Sequence, residues 1–277
     1  MPPCPHMPPD RVGGKNVSYE HLPFKEIGDL FSELEPGGRY EPRNCLQNEV
    51  IAIVIPHRKR KVHLHILIRN LHEFLIKQQR NYVVYVVNQA NFTKFNRGML
   101  LNIGYAEAIK RHNIQCFIFH DVDLIPIDDR IIYRCSDQPM HLSAAIDKFN
   151  YRLPYAQIFG GVEAISTKQF ADANGFSNIY FGWGNEDNDM YLRMKASGYS
   201  ITRYPMDIAK YIMLEHDRDE YNQKSKSKHY LRNTRTCYRS HGLNTLEYTL
   251  LDIKETKLFT WINTSINETA IMNVSLY

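Results

Sequence analysis

Two acidic residues stand on alternate positions directly after a hydrophobic run of the chain. Asp121 and Asp123 follow Cys116–Phe119, which reads as a buried strand. Ligands of α/β proteins usually bind at the carboxyl ends of strands, and carboxylate oxygens suit Mg²⁺ or Mn²⁺ held together with a diphosphate. The pattern predicts a metal and diphosphate site. The alternative is an acidic turn that closes the loop before Pro126.

Basic and aromatic residues follow the other two predicted strands of the same half of the chain. They form a rim, rich in backbone amides, that suits a nucleotide diphosphate. Each arginine taken singly is more simply read as surface charge, but the rim as a whole favours the metal and diphosphate interpretation. The residues of this predicted rim are Pro56, His57, Arg58, Arg60, Phe95 and Arg97.

A second group of candidate residues lies in the segment Phe181–Asp189. Trp183 stands between two glycines, which permit large backbone movements, and its indole offers a broad apolar surface to a sugar ring or a base. The alternative is a buried aromatic corner. Asp187 and Glu186 are candidate general bases for a hydroxyl group, although acidic residues are also favoured at the start of a helix.

Met213 and His216 stand three positions apart, so that both side chains are able to face one point. A thioether matches a hard cation poorly, and such a pair is usually core packing beside a surface histidine. The residues by themselves therefore do not predict a metal site here.

The elements that must position these side chains alternate regularly in the first half of the chain. Strand, helix, strand, helix and strand in that order predict a parallel, right-handed nucleotide-binding half. After Leu124 the alternation is lost, which is typical of a site built from loops. The predicted elements are a strand at Val50–Ile55, a helix at about Val62–Gln79, a strand at Val83–Val87, a helix at about Arg97–Arg111 and a strand at Cys116–Phe119.

The composition excludes several classes of protein. Of the 277 residues, 43% are hydrophobic, so the chain buries a large core and is not mainly disordered. A formal net charge of +4 is too small to indicate nucleic-acid binding. No run approaches the roughly 18 continuous apolar residues of a membrane span, and Met1 is not followed by the apolar segment of a secretory signal. Residues 1–48, rich in proline, glycine and charge, predict an extended stem.

Five Asn-X-Ser/Thr sequences are potential glycosylation sites, and their number favours a secretory-pathway lumen, where disulfides are permitted. Five cysteines without a Cys-X-X-Cys pair leave one thiol over, so the count alone does not fix their pairing. The glycosylation candidates are Asn16, Asn91, Asn263, Asn267 and Asn273, and the cysteines are Cys4, Cys45, Cys116, Cys135 and Cys237.

The chain closely resembles the animal beta-1,4-galactosyltransferase family over about residues 37–262. The resemblance implies a GT-A glycosyltransferase fold with a mostly parallel, Rossmann-like sheet and a loop-built acceptor half. It also implies a UDP-sugar donor, Mn²⁺, and inverting transfer to the 4-hydroxyl of a terminal N-acetylglucosamine on a glycoprotein or glycolipid. The motifs that carry it are Gly37-Gly38-Arg39-Tyr40, Phe95-Asn96-Arg97, Asp121-Val122-Asp123-Leu124-Ile125-Pro126, Asp147-Lys148-Phe149, Phe159-Gly160-Gly161-Val162, Gly182-Trp183-Gly184 and Gly242-Leu243-Asn244.

The resemblance also assigns roles to residues. Asp123, Met213 and His216 correspond to metal ligands, Asp187 to the catalytic base with Glu186 beside it, and Trp183 to a small flap. The polar stretch 217–236 corresponds to a longer lid. The expected disulfides are Cys4–Cys45 and Cys116–Cys135, which leave Cys237 free. Donor contacts beyond the rim are expected from Asp121, Val122, Lys148, Ile158, Gly161 and Trp183, and acceptor contacts from Tyr155, Trp183, Asp187 and Asn188.

One position bears on the donor sugar. In members of the family that transfer galactose, a tyrosine precedes Phe-Gly-Gly, whereas Ile158 stands there in this chain. Isoleucine leaves room for an acetamido group at C2, as in the N-acetylgalactosamine-transferring branch, and UDP-N-acetylgalactosamine is therefore the expected donor. UDP-galactose is the alternative. A sugar-binding protein with weakened catalysis is a second alternative, suggested by Asn185 and Asn188 where the family usually has Gly and Asp.

The expected organisation follows from the same resemblance. Residues 1–48 form a luminal stem, residues 49–262 the catalytic domain, and residues 263–277 a tail that carries sequons. The expected location is the Golgi lumen, with a single membrane anchor upstream of this sequence and a cytoplasmic N-terminus. The expected partners are a UDP-sugar and a glycan that ends in N-acetylglucosamine, with no nucleic acid.

Overall fold

The structure is a computed structural model that describes residues 1–8, 11–215 and 227–274. An eight-stranded, mixed sheet forms the centre, with the strand order β10-β11-β2-β1-β3-β7-β5-β8, and a small sheet has the order β4-β9-β6. The strands are β1 (Val50–His57), β2 (Asn81–Gln89), β3 (Cys116–His120), β4 (Leu124–Pro126), β5 (Met140–His141), β6 (Ala145–Ile146), β7 (Val162–Ser166), β8 (Thr202–Arg203), β9 (Lys210–Met213), β10 (Thr249–Glu255) and β11 (Thr260–Ser265). The helices are α1 (Phe24–Leu30), α2 (Lys61–Lys77), α3 (Arg97–Arg111), α4 (Thr167–Asp172), α5 (Glu186–Ala196), α6 (Thr234–Cys237) and α7 (Glu268–Val274).

Strand β1 has hydrophobic residues on both faces because each face is covered by a helix. Ile51, Ile53 and Ile55 belong to the core that contains α2, whereas Ala52 and Val54 belong to the core that contains α3. The three strand pairs β11–β2, β2–β1 and β1–β3 are all parallel. The predicted nucleotide-binding half is thereby confirmed, and α3 has the predicted limits.

The second half of the chain completes the sheet with antiparallel strands. β7 pairs antiparallel with β3, and β5 pairs antiparallel with β7. The small sheet lies beside them, where β4 pairs antiparallel with β9 and β9 pairs parallel with β6. Because Leu124 of β4 pairs with Met213 of β9, the residues that follow β3 lie opposite the end of β9.

The N-terminal segment packs against the central sheet and α2, rather than standing apart from the folded domain as an extended stem would. Ile27 and Leu34 are buried in the core beside α2. Asp129 accepts hydrogen bonds from the backbone N–H groups of Val12 and Gly13. These long-range contacts leave no periodic signal in the segment itself. Its identity as a luminal stem, and the domain boundary at residue 48, remain predictions.

Both disulfides implied by the family resemblance are present, Cys4–Cys45 and Cys116–Cys135, and Cys237 has no disulfide partner in the described part of the chain. None of the helices that the structure describes is long and apolar enough to span a bilayer.

Candidate active site

A cavity of about 200 Å³ opens at the carboxyl ends of β1 and β3, between the first turns of α3 and α5. Most of the predicted rim residues, the whole Asp-x-Asp motif and part of the Trp183 segment meet there. The cavity is lined by Pro56, Arg58, Arg60, Phe95, Arg97, Asp121, Val122, Asp123, Gly182, Trp183 and Glu186. The topology thus brings together side chains that are more than 100 positions apart in the chain.

Arg97 organises the floor of this cavity. Asn96 caps α3 by accepting a hydrogen bond from the backbone N–H of Met99, which places Arg97 in the first turn. The Arg97 guanidinium donates through Nε to Asp121 at 2.6 Å and through Nη2 to Glu163 at 3.2 Å. These two contacts hold the guanidinium in place, so that Arg97 orients Asp121 at the cavity.

The carboxyl groups around Arg97 have raised pKa values. Burial raises the pKa of Glu163 to about 8, despite the opposing effect of Arg97. Burial, followed by the charge of Asp187, raises the pKa of Glu186. Removing carboxylates from water favours their protonated forms, so burial opposes ionisation of both groups. Such perturbed groups at a cavity are typical of a functional site.

The arrangement of Asp123 and Met213 follows from the pairing of β4 with β9. The backbone N–H of Leu214 donates to the carbonyl of Asp123 at 2.8 Å, and Asp147 accepts from the backbone N–H of Met213 at 2.9 Å. Asp123 directly precedes β4 and Met213 is the last residue of β9, so the two residues lie on adjoining segments, and Asp123 lines the cavity. His216, the third predicted ligand, lies outside the described residues, as does most of the predicted lid.

The chemistry of this donor set fits a divalent cation in part. The carboxylate of Asp123 is a hard oxygen ligand of the kind that Mn²⁺ and Mg²⁺ accept, whereas the Met213 thioether is soft. Among the described residues, the metal-like group of Glu49, Cys116 and Cys135 is formed around a disulfide, so its sulfurs are not free ligands. Asp123 remains a predicted metal ligand, and its carboxylate lines the cavity.

Asp187 and Glu186 lie in the first turn of α5. Asp187 accepts a hydrogen bond from the backbone N–H of Asn188 at 2.8 Å, and the Tyr155 hydroxyl lies 3.5 Å from its other oxygen. Asn185 precedes the helix with φ +79°. Asparagine adopts this left-handed conformation more readily than most residues, which explains how it replaces the usual glycine without disturbing the start of α5.

The remaining predicted site residues do not line the cavity. His57 is buried behind the rim, Lys148 is exposed beside Asp147, and Asn188 follows Asp187 in α5. Ile158 is half-buried in the turn after Tyr155, with its backbone N–H donating to the Tyr155 carbonyl. Gly161, with φ +86°, has no room for a side chain, because a Cβ there would lie 2.6 Å from the Ser143 hydroxyl.

The five sequon asparagines divide into two groups. Asn16, Asn267 and Asn273 are exposed. Asn91 donates to the carbonyl of Ile266 at 2.7 Å, and Asn263 accepts from Asn88 at 2.9 Å. Both of the latter are only half-exposed, and their amides are part of the fold. Glycosylation remains a prediction at all five.

Two residues of the site were missed from the sequence. Glu163 is fully buried under Arg97, and Asp147 fixes the backbone of Met213. An acidic residue inside the otherwise apolar strand β7 was an available signal, since a buried charge requires a partner. Asp147 belongs to the Asp147-Lys148-Phe149 motif, but the resemblance assigned no role to it.

Comparison with known proteins agrees with this geometry. Residues 4–136 match the N-terminal region of glycosyl transferase group 7, and residues 140–217 match the N-terminal domain of galactosyltransferase. Beta-1,4-galactosyltransferase 2 of Mus musculus is 41% identical over 97% of this chain and 73% of its own length. Beta-1,4-galactosyltransferase 1 of Homo sapiens is 41% identical over 96% of this chain and 67% of its own length.

Solved structures support the same fold. The catalytic domain of Drosophila beta-1,4-galactosyltransferase 7 in complex with xylobiose has a TM-score of 0.66 at 26% identity, over 79% of this chain and 94% of that one. A mutant of the same enzyme with manganese, UDP-Gal and xylobiose has a TM-score of 0.68 at 24% identity, with the same coverage. The predicted GT-A fold is confirmed, and one of these two neighbours was solved with manganese, the cofactor predicted from the sequence.

Proposed function

Since the chain belongs to the beta-1,4-galactosyltransferase family, we propose that it is an inverting, Mn²⁺-dependent glycosyltransferase. It takes a sugar from a UDP-sugar and transfers it to the 4-hydroxyl of a terminal N-acetylglucosamine. The observation that carries this proposal is the meeting of Asp123, Arg58 and Glu186 at one cavity, with Asp187 beside them. That site combines a metal ligand, a cationic group for phosphate and candidate bases. The Golgi lumen remains the predicted location.

The residues divide the chemistry between them. The acceptor hydroxyl attacks the anomeric carbon from the face opposite UDP, the bond from that carbon to the diphosphate oxygen breaks, and Asp187 takes the hydroxyl proton. Arg58 binds phosphate oxygens. Asp123, Met213 and His216 hold Mn²⁺, which when bound neutralises charge on the departing diphosphate.

For the donor sugar we propose N-acetylgalactosamine. Ile158 lies in the turn that begins at Tyr155, whose hydroxyl lies 3.5 Å from Asp187. It also stands two residues before Gly160, where an added Cβ would lie 3.0 Å from the Asp187 side chain. The side chain at position 158 therefore belongs to the segment that borders the reacting sugar. An isoleucine there leaves space for the C2 acetamido group, which a rigid phenol would restrict.

Galactose is the second candidate, and the names of the relatives favour it. The curated relatives described above are galactosyltransferases, and one structural neighbour was solved with UDP-Gal. These names describe the relatives, and position 158 is the feature of this chain that supports a different donor.

A sugar-binding protein without turnover is the less favoured alternative. Asn185 adopts the conformation that glycine would adopt, so α5 starts in the same place. Asp187 is retained at its N-terminus. The two asparagines of the acidic motif therefore leave the candidate base in position, and this supports an active enzyme.

Replacing Ile158 with tyrosine is expected to reverse the donor preference. A phenol in the acetamido space forces shifts that cost ~1–3 kcal/mol, and its hydroxyl offers galactose a hydrogen bond of ~1 kcal/mol. The measurement is kcat/KM for UDP-N-acetylgalactosamine and UDP-galactose with each protein. Ile158→Leu is the matched control, because it keeps the volume without a hydroxyl. An unchanged donor ratio in Ile158→Tyr would contradict the assignment.

Replacing Trp183 with alanine is expected to weaken acceptor use more than donor binding. The side chain is 64% exposed at the mouth of the cavity, so its loss removes a stacking surface without opening the core. Steady-state kinetics with a free N-acetylglucosaminide should show a higher acceptor KM, a lower kcat or both. Trp183→Phe should retain part of the activity. If neither constant changes in Trp183→Ala, the residue has no part in acceptor binding.

A further inference from the structure

Three polar side chains form a row across the carboxyl edge of three parallel strands. His57 of β1 pairs in register with Asn88 of β2, and Asn88 pairs in register with Asn263 of β11. The imidazole Nδ1 of His57 lies 2.9 Å from Oδ1 of Asn88, and Nδ2 of Asn88 donates to Oδ1 of Asn263 at 2.9 Å. We call these three residues the edge ladder.

The direction of these hydrogen bonds is fixed by the chemistry of the groups. Oδ1 of Asn88 only accepts, so Nδ1 of His57 carries the proton and donates it. Burial lowers the pKa of His57, which is 6% exposed, and the ring is therefore neutral near pH 7. Its Nε2 has no hydrogen-bond partner in the described part of the chain. The bond to Asn88 therefore helps to orient the ring, together with the Trp261 ring, whose centroid lies 5.2 Å away.

The ladder ends at the rim of the proposed donor site. His57 lies between Pro56 and Arg58, and both of these line the cavity. Arg58 is itself held, because its Nη1 donates to the carbonyl of Thr93 at 2.6 Å and its guanidinium lies 5.0 Å from the Phe95 ring. Because His57 and Arg58 are consecutive residues, a displacement of the His57 ring would strain the backbone that carries Arg58, against the Thr93 and Phe95 contacts that hold its side chain.

We propose that Asn263 is a positioning residue for the donor rim, acting through Asn88 and His57, and that this role does not depend on a glycan. The inference rests on the proposed function in one respect, namely that UDP is the ligand of the rim. Asn263 is also the first residue of an Asn-Thr-Ser sequon, so its side chain has two competing explanations. Either the side-chain oxygen of Asn263 is needed to accept the hydrogen bond from Asn88, or the side-chain nitrogen is needed as the attachment point of a glycan.

Three variants separate these explanations when the chain is produced in a eukaryotic secretory host. Asn263→Ala removes both the ladder and the sequon. Ser265→Ala removes the sequon and leaves Asn263 in place. Asn263→Asp removes the sequon but keeps an oxygen that accepts from Asn88. The readouts are the Kd for UDP with Mn²⁺ by calorimetry, the donor KM and kcat, and the thermal unfolding midpoint.

For Asn263→Ala we expect UDP binding to weaken about 2- to 12-fold, the change that corresponds to one lost hydrogen bond. The donor KM should rise with little change in kcat. Ser265→Ala and Asn263→Asp should both bind UDP as the wild type does. If Asn263→Ala fails to fold, His57→Phe removes the other end of the ladder and should show the same loss.

Other results would overturn the inference. Equal losses in all three variants would assign the role to a glycan, and UDP binding unchanged in Asn263→Ala and His57→Phe would leave the ladder without a part in donor binding. These failures differ from failure of the proposed function, in which the wild type itself would not bind UDP. In that case the rim would have no donor to position and the inference would fall with it.

Discussion

Replacing Asp187 with asparagine is expected to lower kcat by a factor of about 10² to 10⁴, the usual contribution of a positioned general base. One oxygen of Asp187 is held by the backbone N–H of Asn188, while the other faces the Tyr155 hydroxyl on the side of the segment that carries Ile158. Asparagine keeps the shape and the hydrogen-bond acceptor but cannot take a proton. Binding of UDP with Mn²⁺ should therefore remain, as measured by calorimetry beside steady-state turnover.

Glu186→Gln is the informative comparison, because Glu186 lines the cavity and its raised pKa also suits a base. If Asp187→Asn keeps most of its turnover and Glu186→Gln loses it, the base is Glu186. Asp189 is not a third candidate. It is buried, forms an ion pair with Arg193 at 2.5 Å and accepts from the Thr234 hydroxyl, so its oxygens are used within the fold.

Replacing Asp123 with asparagine is expected to abolish metal-dependent donor binding and, with it, turnover. The substitution removes an anionic ligand next to a diphosphate that itself needs its charge neutralised. The measurement is a Mn²⁺ titration in the presence of UDP, followed by the paramagnetic signal of the free ion. Activity should be absent at Mn²⁺ concentrations that saturate the wild type.

Asp147→Asn is the matched control for this prediction. Asp147 contacts the neighbouring ligand through the backbone N–H of Met213, and an asparagine oxygen is still able to accept that hydrogen bond. It should retain metal binding. Full Mn²⁺-dependent activity in Asp123→Asn would show that the metal is held elsewhere.

The nucleotide-binding half was predictable because its signals are local. The hydrophobic periodicity of Arg97–Arg111 and the cap at Asn96 fixed α3, and β-branched runs marked the buried strands. The end of β1 was not predicted. The strand continues through Pro56 to His57, in register with β2, and this extension places His57 in the sheet.

What the sequence did not reveal depends on contacts between distant segments. The packing of Ile27 beside α2 and the position of Glu163 under Arg97 arise only when the chain folds back on itself. Asp123 and Met213 were proposed as a pair through the family resemblance, since the softness of the thioether argued against it. The pairing of β4 with β9 is the physical reason that Asp123, which precedes β4, lies beside the end of β9 at Met213.

The most direct test of the account is a competition between the two donors. Wild-type protein, Mn²⁺ and a free N-acetylglucosaminide are incubated with equal concentrations of UDP-N-acetylgalactosamine and UDP-galactose, and the products are identified by mass and by the anomeric and linkage signals in NMR spectra. The account predicts a β1,4-linked N-acetylgalactosamine product, favoured roughly 10- to 1000-fold, the range in which steric and hydrogen-bond differences of this size add. A product that is mainly galactosylated would contradict the assignment of Ile158 as the determinant of donor choice.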